Sequence, residues 1–445
     1  MSVNTLNELL LRPLSAFRVL TNLPGHGNLG PVTVTNGGSL KSLRRTNQER
    51  VLTLLLKNGP MHRAEIARQI DVSRATVSTI VNDLIERGVL EQVGVPASGR
   101  LDGRVRERVA ISRTAGVAAG LDFTLDRIAL HLCDLERREL ATQSVRVPAD
   151  ASASHRVRAA ALLLDETLDA HGLTGDDVIG LGVGVPGQVA TATGVVGPSL
   201  PGQPWAGLNV REMFEQQFGR PVMVENNTRV EAMAEYLWGA GREAATMLYV
   251  NLTSGIGAAL VLDGRLYRGA IGGAGELGHL SIDHNGPTCP CGNRGCLVQR
   301  AGAPAILQEL RPILGNEATI EDVAEAARAG DRASSSVLAD VGWVVGQCLA
   351  SVCNLLDPGR IVVGGPVATA GPVVLDAIAA GIERHAMAAV GSTTTVVQAD
   401  FEDSARAGVR GGAALVLQEA PHLASLLRRL TDPPGSDTTT LRGVR

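Results

Sequence analysis

From about Gly116 onward, runs of β-branched residues alternate with helical patterns, and the same order occurs twice. The first pass reads VAAGLDF, RIALHLC and SVRV as strands, then a helix near 153–170, then the strand VIGLGVGV. The second reads MLYVNL, GAALVLDG and RLYRG, followed by a long helix near 337–356 and the strand IVVGG. Short, continuous apolar runs of this kind suit strands covered on both faces. Alternation with helices supplies the cover, and repetition of the unit predicts an α/β body of two lobes with a cleft between them. At 445 residues the chain can bury such a body and still carry a separate module.

That module precedes the repeat. Residues 41–110 hold 13 basic and eight acidic residues, about +5, while the chain as a whole is at -4, so the remainder is near -9. A small basic module joined to a larger acidic body suggests contact with a polyanion. Its helical periodicity is more specific. NQERVLTLLLK (47–57) puts Val51, Leu52, Leu55 and Leu56 on one face, and Gly59-Pro60 ends that helix. A short helix over 63–70 follows, then Asp71-Val72-Ser73, with Ser73 placed to cap a third helix running to about Arg87. Ala67, Asp71, Val77 and Ile80 stand at the offsets of a helix-turn-helix, with a glycine missing at the turn. Two alternating strands, LEQVG and RVRERVAI, flank VPASGRLDG and predict a wing.

On this reading Ser73, Arg74, Ala75, Thr76, Ser78, Thr79 and Asn82 line the side of the third helix that a major groove would meet, and Arg100 and Arg104 sit at the wing tip. The partner is a double-stranded DNA operator, and half-site geometry predicts a homodimer or higher homo-oligomer. A helical hairpin with a solvated charged face is the plainer alternative. An aromatic content of 2% argues against a stacking platform for single strands. No apolar run approaches 18 residues, so no membrane span is expected. The N-terminus has neither a basic start nor a small-residue cleavage site, which predicts a cytoplasmic protein. Residues 1–40 and 421–445, rich in turn-forming residues, are expected to be a flexible leader and tail around a DNA-binding domain at 41–112 and an effector and oligomerisation domain at 113–420.

Three of the six cysteines fall within Cys289-Pro-Cys291-Gly-Asn-Arg-Gly-Cys296, with His279 ten positions upstream of the first. Thiolates and an imidazole this close suit a closed structural zinc site, against a reactive or disulfide cluster as the alternative. Cys133, Cys348 and Cys353 lie in apolar patterns and read as core.

The segment GELGHLSIDHNGPTCPCGNRGCL (275–297) resembles the signature of the ROK family of repressors and sugar kinases. GVGVPG (182–187), ENN with AMAE (225–235), TSGIGAALVLDGRLYRG (253–269), IVVGGP (361–366) and GVRGGAA (408–414) extend the likeness over nearly all of 44–420. The resemblance implies an N-terminal winged helix-turn-helix followed by a two-lobed actin-like ATPase (ribonuclease H-like, duplicated) body. It also implies His279, Cys289, Cys291 and Cys296 as zinc ligands, and a sugar-responsive transcription regulator.

Kinase members resembling this chain use Glu-Asn-Asp where it has Glu225-Asn226-Asn227, so an amide that cannot take a proton occupies the catalytic aspartate's position. Their D-x-G-G-T phosphate loop corresponds to Asp122-Phe123-Thr124-Leu125-Asp126, where side chains and a second negative charge replace glycines. The resemblance therefore implies no catalytic residue and a non-enzymatic body. Gly255, Gly257, Gly364 and Gly365 remain, either for phosphate or as tight turns. The family's sugar contacts carry over to Asn226, Glu276 and His279, with Asn227 beside them. Val298 replaces a family glutamate, and Ser199 stands where asparagine is common. The expectation is a sugar or sugar-derivative effector. The alternatives are an effector-independent scaffold, an active kinase, and Glu276 as a loop-closing residue next to zinc.

Overall fold

The computed structural model describes residues 40–94, 107–197, 203–401, 403–418 and 430. The winged module comes first: helices α1 (Leu40–Asn58), α2 (Arg63–Gln69) and α3 (Arg74–Glu86), then the antiparallel pair β1 (Leu90–Gly94) and β2 (Glu107–Ile111). Val51, Leu52, Leu55, Ile66, Val77, Ile80, Leu84 and Val109 close its core. The turn between α2 and α3 lacks glycine, yet Asp71 takes the left-handed conformation at φ 52. Aspartate tolerates that region better than most residues, so the turn survives the substitution. Ser73 caps α3 by accepting from the Thr76 amide at 3.1 Å. The wing tip, with Arg100 and Arg104, lies outside the described residues, as does Ser199.

The first lobe runs through β3 (Val117–Phe123), β4 (Arg127–Asp134), β5 (Glu139–Arg146), α4 (Ala153–Ala170), β6 (Val178–Val185), α5 (Val210–Phe218), β7 (Val222–Asn226) and α6 (Asn227–Trp238). The second follows with β8 (Thr246–Leu252), β9 (Ile256–Leu262), β10 (Arg265–Tyr267), α7 (Leu297–Ala301), α8 (Ala303–Leu314), α9 (Ile320–Arg328), α10 (Arg332–Leu356), β11 (Arg360–Gly364), α11 (Pro372–His385), α12 (Ala388–Gly391) and β12 (Thr395–Gln398), after which α13 (Ser404–Gln418) returns to the first sheet. The sheets are ordered β5-β4-β3-β6-β7 and β10-β9-β8-β11-β12. In each, three antiparallel strands are continued by two parallel ones. The duplication expected from the sequence is thus present strand for strand. β3, central in its sheet, is buried at every position, which is why it reads as an unbroken apolar run.

α13 passes over β3 and β6 and packs along α6. It lies so close that a Cβ at Gly120 would sit 1.8 Å from the Val409 carbonyl oxygen, and one at Gly411 would sit 1.7 Å from that of Val230. The far end of this helix enters the winged module: Ala413, Val416 and Leu417 share one apolar cluster with Val51, Leu52, Leu84 and Leu90. Leu430, in the stretch expected to be a loose tail, is buried in the same cluster, and its carbonyl accepts from Arg87 Nη2 at 2.7 Å. The head therefore shares a core with the body instead of hanging from a linker.

Among the described residues α10 is long and apolar enough to cross a bilayer by length and composition. More than half of its apolar window is buried, and Gly342, Gly346 and Gly381 bring it into close contact with α11. That packing accounts for its apolar character.

Candidate functional site

The residues expected to face DNA form one exposed surface on α3. Arg74, Ala75, Thr76, Thr79 and Asn82 are exposed and Ser78 is half-buried. Some of their polar groups already have partners. Ser73 Oγ is occupied by the cap and by Thr76 Oγ1 at 2.8 Å, and Thr79 Oγ1 donates to the Ala75 carbonyl at 3.1 Å. Asn82 Oδ1 accepts from Arg63 Nη1 at 2.8 Å, which leaves its amide N–H groups outward. Arg63, at the start of α2, is a residue that helical periodicity alone did not single out; it orients Asn82 and adds charge at the rim of the surface.

The cysteine cluster assembles as expected. His279, Cys289, Cys291 and Cys296 bring one ligand atom each to within 4.8 Å of one another. His279 Nδ1 and Cys289 Sγ are 3.6 Å apart, as are the sulfurs of Cys291 and Cys296. Those edges match a tetrahedron of sulfur and nitrogen about 2.0 to 2.3 Å from a central ion. Gln299 Nε2 approaches Cys289 Sγ at 3.8 Å, a donor suited to a thiolate. Without a cation, burial and the neighbouring thiols push the Cys296 thiol up to about 12. The donor set can therefore hold a metal ion, and metal binding would displace protons from it. Cys133, Cys348 and Cys353 are buried in apolar cores and do not join this group of four.

At the end of β7 the two asparagines of the expected sugar site are engaged within the chain. Asn226 caps α6: its Oδ1 accepts from the Thr228 amide at 3.0 Å, and its Nδ2 donates to the Gly187 carbonyl at 3.0 Å. Asn227 Nδ2 donates to Asp122 Oδ1 at 2.7 Å and to the Phe123 carbonyl at 3.2 Å. Glu276 is exposed and immediately precedes the single turn Leu277–His279, and His279 faces the cysteines. Val298, in the place of the family glutamate, packs against the core of the second lobe.

The buried carboxyls around Asn227 favour their neutral form. Burial pushes the Asp122 carboxyl up to about 8, against the opposing hydrogen bond from Asn227. Glu231, one turn along α6 from Asn227, is also held far above the carboxylate range, by burial first and by Asp122 next. It accepts from Tyr249 at 3.0 Å and from Asn251 Nδ2 at 2.5 Å. Burial thus favours the neutral form of both carboxyls, and with the amide beside them they make weak proton acceptors.

The loop at 124–126 is pinned from beneath. Arg156 on α4 is fully buried and donates to the carbonyls of Thr124, Leu125, Pro148, Ala149 and Ala151 at 2.6 to 3.1 Å. Sequence reasoning missed this residue, although its place in register with Ala160 and Leu164 marks it as inward-facing.

A helix-turn-helix head, a duplicated sheet body and a loop of three cysteines and one histidine together define a transcription regulator built on a sugar-kinase scaffold. Comparison agrees: the sequence pattern of the ROK family matches residues 118–419, and that of the MarR family matches 44–101. The chain belongs to the ROK family. It is 26% identical over 370 residues to the xylose repressor of Bacillus spizizenii, covering 82% of this chain and 94% of the relative. A solved ROK family transcriptional regulator, described as a homolog of the E. coli Mlc protein, superposes with a TM-score of 0.73 at 25% identity, over 87% of this chain and 99% of the other. A ROK family glucokinase from Streptomyces griseus, solved with glucose and AMPPNP, gives 0.58 at 29% identity, over 68% of this chain and 100% of the enzyme. The enzyme matches a smaller share of the chain than the regulator does.

Proposed function

We propose that the chain is a sequence-specific DNA-binding transcription regulator, a repressor of carbohydrate-related genes, whose kinase-like body senses a sugar or sugar derivative and transfers no phosphate. The observation that carries this reading is the amide of Asn227, bonded to a neutral Asp122 where phosphoryl transfer needs an ionised base, in a chain that also presents the α3 surface. The xylose repressor and the Mlc homolog, which match the chain along most of their length, support the regulator reading.

In this reading residues 41–112 bind operator DNA and 113–420 bind the effector and oligomerise. Arg74, Ala75, Thr76, Ser78, Thr79 and Asn82 read the major groove, while Arg100 and Arg104 touch the backbone or a groove edge. Asn226, Asn227, Glu276 and His279 border the sugar. His279, Cys289, Cys291 and Cys296 hold a structural zinc, which a reducing cytoplasm favours over a disulfide.

A gel-retardation titration on the DNA upstream of the protein's own gene tests the reading, at one stated salt concentration and against a panel of sugars and sugar phosphates. Release by one compound is the expected result. Sugar-dependent ADP production from ATP would overturn the non-enzymatic part. A second reading, an effector-independent scaffold, is favoured by Asn226, both ends of whose amide are satisfied inside the chain. It predicts binding that no compound on the panel disturbs.

A further inference from the structure

Both oxygens of Glu225, the residue immediately before the two asparagines, are taken by guanidinium groups. Oε1 accepts from Arg229 Nη1 at 2.8 Å and from the Asn226 amide at 3.1 Å, while Oε2 accepts from Arg268 Nε at 2.5 Å. Glu225 belongs to β7 of the first lobe, whereas Arg268 directly follows β10 of the second. The ion pair therefore joins one lobe to the other. Arg229 adds two more ties, donating from Nη2 to the carbonyls of Gly272 at 2.6 Å and Ala274 at 2.8 Å. The segment so held, 268–275, leads straight into Glu276 and His279.

This segment is shaped by its backbone. Gly269, Gly272 and Gly275 have φ of 72, 87 and 93. A Cβ at Gly272 would meet the Val189 carbonyl of the first lobe at 2.0 Å, and one at Gly275 would meet that of Ala258, on β9 of the second, at 2.0 Å. It is thus wedged between the lobes and strung from Glu225 and Arg229, with Asn226 at one end of the latch and Glu276 at the other.

We infer that Glu225, Arg229 and Arg268 form an interlobe latch that positions Glu276 and His279 against Asn226, so that Arg268 is a positioning residue for effector binding. The inference rests on the sensor reading above and adds the residues that set its affinity. Arg268 is the separable member: without it Glu225 keeps Arg229 and the Asn226 amide, so no buried charge is left uncompensated. Arg229, by contrast, is buried and ties Glu225 to the segment, so its removal would disturb the fold.

The test uses the full-length protein, wild type and the variants Arg268→Met and Arg268→Lys, in a retardation assay with D-xylose, D-glucose, N-acetyl-D-glucosamine and their phosphates. For R268M, operator binding without sugar stays within about twofold of wild type, because α3 is untouched, and the sugar concentration for half-release rises about tenfold, a coupling of ordinary size. R268K, which restores one donor to Glu225, recovers part of that shift. Hydrogen exchange over 268–280 is slowed by the releasing sugar in wild type and not in R268M. Equal half-release concentrations and equal exchange in wild type and R268M overturn the latch while leaving the sensor reading intact. Wild-type protein that no sugar releases overturns the sensor reading and the latch with it.

Discussion

Replacement of Asp122 by asparagine should make the protein more stable at neutral pH. In the unfolded chain this carboxyl ionises with a pKa near 3.8, and burial in the fold raises it to about 8. Between those values the folded state holds a proton that the unfolded state has released, so stability falls as pH rises through that window and is lowest above it. At pH 7 the span of about three units corresponds to about 4 kcal/mol at most, at 1.36 kcal/mol per unit. The site explains why the carboxylate finds no relief: Cβ atoms at Gly184 and Gly408 would lie 2.7 and 2.6 Å from Asp122 Oδ1, so no space remains for a hydrating shell.

An asparagine in this place would keep the oxygen that accepts from Asn227 Nδ2 and would turn an amide N–H toward Asn227 Oδ1, which is buried with no hydrogen-bond partner among the described residues. About half of the ceiling, roughly 2 kcal/mol, is a fair expectation after the change of shape, and for a fold of this length it raises Tm by about 2 to 3 °C. Calorimetry of wild type and D122N at pH 5, 6, 7 and 8 reads it directly. The gap between the two should be small at pH 5 and widen steadily to pH 8. A gap that is constant across the series, or a D122N protein less stable than wild type throughout, would refute a neutral, desolvated Asp122.

Three further outcomes follow from the geometry. Cys289→Ala or Cys291→Ala should remove bound metal, read as zinc per chain by elemental analysis, and expose 279–297 to proteolysis; full metal content in either variant would contradict a site built from three cysteines and one histidine. Gly411→Ala should cost at least about 3 kcal/mol in urea unfolding, since its Cβ would collide with the Val230 carbonyl at 1.7 Å and drive α13 off α6; a near-neutral change would mean that the helices separate freely. His131, bonded through Nδ1 to Thr142 Oγ1, is held neutral by burial, which lowers it from 6.5 to about 4. Its contribution to stability is present above pH 6.5 and declines as pH falls toward 4, so His131→Gln should flatten the acid side of the stability curve, and an unchanged slope would argue against a buried neutral imidazole.

Much of the architecture was legible because the elements that build it are buried on all sides. β3, β6 and α4 coincide with the apolar runs that announce them, and the helix-turn-helix spacing was readable even though Asp71 does the work expected of glycine. α5, β7, α8, α9, α11 and β12 were less visible: they are short or mixed, and packing between the lobes decides them more than local pattern does. For the site, residue types and spacing led to the three cysteines and one histidine that the fold gathers, because ligand geometry leaves a trace along the chain. Asn226 and Asn227 came from the resemblance to the ROK family, which did not give their partners, since Gly187 and Asp122 are remote in sequence and near only in the fold.

The arginines hold the more general lesson. Arg156 lies in register with Ala160 and Leu164, and Arg229 in register with Met233, on helix faces that a period of 3.6 assigns to the core. A guanidinium on such a face must find acceptors or the helix cannot dock, because an unpartnered buried cation is prohibitively costly. Arg156 finds five carbonyls in the loops at 124–125 and 148–151, and Arg229 finds Glu225 and the segment leading to Glu276. In both cases loop carbonyls are among the acceptors, the groups that strands and helices leave unpaired. An inward arginine in an otherwise apolar helical register therefore marks a loop that the fold must hold in one shape. In this chain one such loop leads into Glu276, where the effector is proposed to bind.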